Sequence, residues 1–213
     1  MILALTSSAH TAAAALVEDG ALIAEAHIRA DQGLADRIAP MVADLLGATR
    51  PELVAVMVGP GSFTGLRAAI SVAHGIGLAA GCKVVAVTAS EAFAADTSTD
   101  LAGRTLWTAI DSRRGRIFLD HGKNFVAYAL DAIPHTRDRV AVAGDAANAV
   151  AGALAARNTD VMLSSLRLPR PLAVALAGAG RARGELPPLD AVPLYIDAPE
   201  ARAPAGGLRP QPA

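Results

Sequence analysis

VGPGSFTGLRAAISVAHGIG, residues Val58–Gly77, sets a proline between two glycines, follows them with two hydroxyl side chains, and then runs into small residues. Behind it stands LVAVMV (Leu53–Val58), an apolar run without polar alternation, as expected of a central strand in a parallel sheet. The junction reads strand, tight turn, helix. Gly59-Pro60-Gly61-Ser62 suits a type II turn, with proline presetting φ at the second position and Gly61 taking a positive φ at the third. Ser62 or Thr64 then caps the helix, and its free N–H groups, with Arg67 one turn in, offer a place for an anion. Spacing argues against a nucleotide loop. Leu66-Arg67 follow Gly65 where a P-loop needs lysine and a hydroxyl. The third glycine of a dinucleotide fingerprint would be Gly65, one position late, and the next strand, KVVAV (Lys83–Val87), ends without a carboxylate.

The helix that follows carries Ala68, Ala69, Ser71, Ala73, Gly75, Gly77, Ala79 and Ala80. Each glycine inside a helix costs about 1 kcal/mol relative to alanine, and close approach of another backbone offsets that. Packing against the chain's own sheet is what periodicity favours; a helix of a partner is the second reading.

Around this junction, Ile2–Leu5 reads as a buried strand. Thr11–Val17 and Ala21–Ile28 flank Glu18-Asp19-Gly20, a hairpin signal. Leu34, Ile38, Met41, Val42 and Leu45 follow helical spacing with Gly47 as the end, and Pro40 predicts a kink or a late start. Thr97–Arg104 is a polar break that divides the chain into residues 1–97 and 104–197. Beyond it, Leu106–Leu130 can be laid over the opening stretch, with Asp111-Ser112 near Thr6-Ser7 and the turn His121-Gly122-Lys123 matching the first hairpin. RVAVAGDAANAVAGALAA (Arg139–Ala156) repeats strand, glycine, helix, and the first copy's helix shrinks to DAIPHTRD. A helix within Pro171–Arg183 and a short strand, VPLYI (Val192–Ile196), follow, and 198–213 reads as a disordered tail. Two related α/β half-domains result.

Composition narrows the function. Hydrophobic residues make up 53% of the 213 but aromatics only 3%, and the net charge of −1 supplies no global field for nucleic acid. The single cysteine, Cys82, excludes a disulfide framework and reads as a small buried hydrophobe. No signal sequence or membrane span is expected, so the chain is placed in the cytoplasm. The histidines are scattered without metal-ligand spacing, and there is no nucleophile elbow. Asp111-Ser112-Arg113-Arg114-Gly115 reads first as a solvated turn, with Arg113, Arg114 and Arg116 as a local basic patch.

GPGSFTGLR, between a buried strand and a small-residue helix, resembles the signature of the bacterial TsaB (YeaZ) family. ILALTSS with its EDG hairpin, GLADRIAPMVADLL, VVAVTASEAFA, AIDSRRGRIF and VPLYIDAPEARAP match the same pattern in order. The resemblance implies the actin/Hsp70/sugar-kinase fold, two duplicated ribonuclease H-like domains. It also implies a non-catalytic scaffold in threonylcarbamoyladenosine modification of tRNA, pairing with the catalytic subunit TsaD and working with the ATPase TsaE. ATP, magnesium and a metal then belong to the partner subunits, tRNA is contacted through the complex, and a second copy of the chain is the alternative partner in isolation. The implied contact is a four-helix surface, assigned to Leu34, Ile38, Met41 and Leu45 on the first helix and Ala69, Ala73 and Gly77 on the second. The glycine turn, Gly59, Pro60, Gly61, Ser62, Thr64, Gly65 and Arg67, is then a packing device. No catalytic, cofactor or metal residue is assigned. The family's Asp-Thr-Ser after the first strand is Leu5-Thr6-Ser7 here, and Thr6 brings no negative charge to hold magnesium. Leu34 also stands where the family often has histidine. Alternatives on the same fold are an ATP-dependent phosphotransferase and, lower, an M22-type peptidase.

Overall fold

The computed structural model describes residues 1–8, 10–98 and 100–196. β1 (Ile2–Ser7), β2 (Thr11–Glu18) and β3 (Ala21–Arg29) form an antiparallel meander. Asp19 and Gly20 both take positive φ, 50° and 78°, the geometry of a tight turn that follows the strand twist. α1 (Leu34–Leu46) begins at Leu34 and passes through Pro40, so the late start does not occur; Gly47 ends it, donating to the carbonyl of Ala43 at 3.0 Å. β4 (Leu53–Gly59), α2 (Phe63–Ala80), β5 (Lys83–Thr88) and α3 (Ala89–Ala94) complete the first half. β4 pairs parallel to β1, and β5 parallel to β4, giving the order β3-β2-β1-β4-β5.

The second half repeats this plan with β6 (Thr105–Asp111), β7 (Ile117–Asp120), β8 (Phe125–Tyr128), β9 (Val140–Ala143), α4 (Ala147–Ala155) and β10 (Val161–Leu163). Its order, β10-β9-β6-β7-β8, is the same ladder read from the opposite edge. A 3-10 turn at Leu130–Ala132 stands where the first half has α1, as the shrunken link predicts. The three-residue β10 escapes the sequence reading.

α5 (Pro171–Ala182) follows the second sheet in the chain but packs on β1, β2, β4 and β5 of the first. Gly178 makes this possible: a Cβ there would lie 2.5 Å from the Ala55 methyl. The first sheet is therefore covered by α1 and α2 on one face and α5 on the other. Its strands are accordingly apolar on both sides, with Leu3, Ala4, Leu5, Val54, Ala55 and Val56 all buried. VPLYI is not a strand. Ala191–Ile196 runs as an extended strap over α2 and makes one backbone bond to the sheet, Leu194 N–H to Val58 O at 2.9 Å. The expected tail, 198–213, lies outside the described residues.

Candidate functional site

The glycine turn forms differently from its sequence expectation. The Gly59–Pro60 peptide is cis, and Gly59 carries the positive φ, 123°, while Gly61 does not. The turn is therefore not type II. Ser62 occupies the N-cap of α2 but makes no side-chain cap bond. Arg67 does not face an anion site. Its guanidinium lies 3.7 Å over the Phe63 ring and donates from Nε and Nη2 to the Tyr195 hydroxyl at 2.9 and 2.5 Å.

The assigned contact positions resolve into a core face. Leu34, Ile38, Met41, Ala69, Ala73 and Gly77 are buried in the chain's own interior, and Leu45 is half-buried against the same cluster. At Gly77 a Cβ would come within 2.5 Å of Val84 Cγ2, so that glycine serves internal packing. The interface assignment at these positions is corrected accordingly: helical periodicity marks the face that meets the sheet. The opposite face of α2 exposes Phe63, Arg67, Ser71, His74, Gly75 and Leu78, with Leu78 87% exposed. Their spacing of three and four residues makes one stripe along the helix. α2 is long and apolar enough to cross a membrane by length and composition, but its inner face packs on β1 and β4.

Between the two halves lies a cleft of about 320 Å³. The ends of β1 and β4 and the start of α2 supply one wall, with Ser7, Ser8, Gly61, Ser62 and Phe63; the end of β6, its turn and Asp145 supply the other. A second hollow of about 340 Å³ adjoins it past Ser7 and Ser8, bordered by Thr6, Thr11, His27 and Arg170. Asp145 follows β9 at Gly144, where β9 approaches β6 so closely that any Cβ would overlap the Ala109 carbonyl. Its Oδ1 accepts from the Asp111 N–H at 2.8 Å, and Arg113 Nη2 lies 3.2 Å from Oδ2. Burial raises the Asp145 carboxyl above the usual carboxylate range, with the Asp111 charge adding to it; the Asp111 N–H and Arg113 pull the other way. Arg113 also lies 3.5 Å from Asp111 Oδ2. The turn Asp111–Gly115, read first as a solvated loop, is thus a wall of the cleft. Asp145, Phe63 and Tyr195 were not singled out from sequence, although Gly144-Asp145 stands after β9 as Gly59-Pro60 stands near the end of β4.

The charges are one-sided. The first-half residues that line the 320 Å³ cleft include no ionisable side chain, although His27 and Arg29 border the adjoining hollow, and β1 ends in the buried hydroxyls of Thr6 and Ser7. Among the described residues no three histidine, cysteine or carboxylate side chains gather to hold a metal. Asp111 and Asp145 both stand on one wall of this cleft beside Arg113.

Two copies of one five-stranded ladder facing across a cleft define the actin/sugar-kinase class with ribonuclease H-like halves. The family model described as TsaD, tRNA N6-adenosine threonylcarbamoyltransferase, matches residues 28–180. The chain belongs to that family, as a member of its TsaB (YeaZ) branch. It is 30% identical over 122 residues to the tRNA threonylcarbamoyladenosine biosynthesis protein TsaB of Escherichia coli K12, covering 55% of this chain and 52% of that protein. It thus spans about half the length of the curated relative it matches. YeaZ from Pseudomonas aeruginosa superposes with a TM-score of 0.69 at 25% identity over 92% of this chain and 99% of that one. A further P. aeruginosa structure, described as similar to peptidase YEAZ, gives 0.71 at 23% identity over the same shares.

Proposed function

We propose that this chain acts in threonylcarbamoyladenosine modification of tRNA as an accessory subunit without its own active site, pairing with a TsaD-like catalytic subunit. Family membership and the E. coli relative support the pathway. The observation that carries the accessory role is the uncharged first wall of the cleft: β1 ends in the neutral hydroxyls of Thr6 and Ser7, which bring no carboxylate to place a cation there. The Asp145 and Asp111 carboxylates opposite are engaged by Arg113 and by backbone, which suits a structural cluster.

The exposed stripe of α2 is the docking face of this reading. Phe63 and Leu78 stand at its two ends, 57% and 87% exposed, with Ser71 and Gly75 between them offering little side chain to hold a neighbouring helix away. Apolar ends around a flat centre admit a partner helix at close range. A TsaE-like ATPase is the third component, supplying nucleotide turnover that this chain lacks, and tRNA reaches the chain through the complex.

The test is co-expression of the chain with a TsaD-like subunit, followed by affinity capture and nucleotide titration of the isolated chain. A stoichiometric complex, with no turnover of ATP by the chain alone, is expected. Turnover of magnesium ATP by the isolated chain would replace this reading with the phosphotransferase.

A further inference from the structure

Pro193, Leu194, Tyr195 and Ile196 form part of the cleft wall, yet the strap they belong to is neither helix nor ladder. Its root is seated firmly. Arg181 Nε donates to the Pro187 carbonyl at 2.8 Å, and the Val192 N–H closes a tight turn on the Asp190 carbonyl at 2.8 Å. Ala191 inside that turn is buried in the first core, and its carbonyl accepts from His74 Nε2 of α2 at 2.9 Å. Beyond this seat the attachment thins. Among the described residues the arm Val192–Ile196 has one backbone bond to the sheet, Leu194 N–H to Val58 O, and Pro193 has no N–H to give. Tyr195 adds a latch: its hydroxyl accepts from Arg67, and its ring lies 6.1 Å from that of Phe63. Val192 and Tyr195 are exposed, so water competes for these contacts.

We infer that Val192–Ile196 is a gate of the cleft: it swings from the Ala191 seat, releases Tyr195 from Arg67 and Phe63, and opens the cleft beside Leu66 without unfolding either sheet. Leu66 is buried and lines the cleft. A Cβ on Gly59 would lie 3.2 Å from Leu66 Cδ1 and 3.6 Å from the Leu194 carbonyl oxygen, so the strap passes directly beside this side chain. With the arm lifted, the cleft extends over that apolar floor. Segments that open locally have little buried apolar area and water-exposed hydrogen bonds. The arm has both. β4 beneath it is the opposite case, paired on both edges by β1 and β5, with Val54, Ala55 and Val56 fully buried. The gate belongs to the free chain and does not depend on what binds the α2 stripe.

Native-state hydrogen exchange of the full chain, followed by NMR at low denaturant, reads the gate directly. The Leu194 N–H is expected to exchange about a hundredfold faster than the β4 amides, at a rate that low denaturant leaves unchanged. Tyr195→Ala should speed Leu194 roughly tenfold while the β4 amides keep their rates. Opening of the cleft is read separately, in a Cys82→Ser, Leu66→Cys background, by the rate of reaction with a disulfide reagent. That rate should also rise roughly tenfold with Tyr195→Ala, in step with Leu194. Ala89→Cys, buried in the same cleft, gives the same reading where Leu66→Cys does not fold. If Leu194 exchanges together with β4 and with the same denaturant dependence, the strap opens only with the whole fold and the gate is wrong. If Leu194 opens locally but the cleft cysteine reacts no faster in the Tyr195→Ala chain, the strap lifts without opening the cleft, and the proposal is overturned as well.

Discussion

Arg181 of α5 donates to both carboxylate oxygens of Glu91 on α3, Nη2 to Oε1 at 2.5 Å and Nη1 to Oε2 at 3.1 Å. The same guanidinium reaches the carbonyls of Ala86 and Pro187, and Glu91 also accepts from the Thr88 N–H in a capping box. One arginine thereby fastens the returning helix to the end of β5 and to α3. Removing one member of a buried pair leaves the other charge without compensation. Arg181→Met is expected to cost about 3 kcal/mol in urea unfolding. Adding Glu91→Gln should recover part of that loss, because the remaining charge is gone while the cap acceptor stays.

Acid unfolding should report the same pair together with Asp96. Burial alone would raise both carboxyls. For Glu91 the bonds from Arg181 and the Thr88 N–H outweigh it, and for Asp96 those from Arg170 and Ser98 do, so both lie below their ordinary values of 4.5 and 3.8. A depressed folded pKa adds stability that is fully present above the unfolded value and is lost as pH falls through the folded one. Stability should therefore fall as pH drops below 4.5. Asp96→Asn should lower stability at neutral pH and flatten that acid limb, as followed by circular dichroism.

Gly65 in the first turn of α2 leaves space for the Ser7 hydroxyl, which a Cβ at that position would strike; the Ser8 carbonyl would lie 3.3 Å away. Ser7 Oγ is buried and makes no hydrogen bond of its own. Gly65→Ala is expected to destabilise by about 1–3 kcal/mol through overpacking. Ser7→Ala alone should be nearly neutral and should offset much of the Gly65→Ala cost in the double variant. A strictly additive pair in denaturant unfolding would contradict this contact.

Trp substitutions should separate the two faces of α2. Ala69 and Ala73 are both 0% exposed, so Ala69→Trp and Ala73→Trp are expected to unfold the chain or shift its sheet packing, by several kcal/mol where the strand backbone cannot yield. Ser71→Trp sits on the exposed stripe and should leave the circular dichroism spectrum and melting temperature unchanged while blocking capture of the partner subunit.

Local signals made much of this fold readable. LVAVMV and KVVAV are buried on both faces and become β4 and β5; Asp19-Gly20 forms its hairpin; the second copy keeps Asp111 at the strand end matching Thr6-Ser7. What escaped depends on distant partners. VPLYI has strand composition, but it lies over α2 with only Leu194 bonded to Val58, so it forms no ladder. α5 returns to the first sheet because Gly178 fits against Ala55, a contact that no local pattern announces. The docking positions were misplaced because small residues run around the whole of α2. Ala69, Ala73 and Gly77 are small to meet the chain's own sheet, while Ser71 and Gly75 face out. The cleft wall at Asp145 depends on Gly144 bringing β9 against β6, and the Arg67 cluster on the strap crossing α2; neither is a matter of sequence neighbours.

The central claim is that this chain contributes a docking surface and no chemistry. The most direct measurement is tRNA threonylcarbamoylation reconstituted from the catalytic subunit, the ATPase and this chain, comparing wild type with Ser71→Trp. The account predicts no modification by the chain alone, modification with the full set, and loss of modification with the folded Ser71→Trp protein. Full modification with Ser71→Trp, or product formed by this chain without the catalytic subunit, would contradict it.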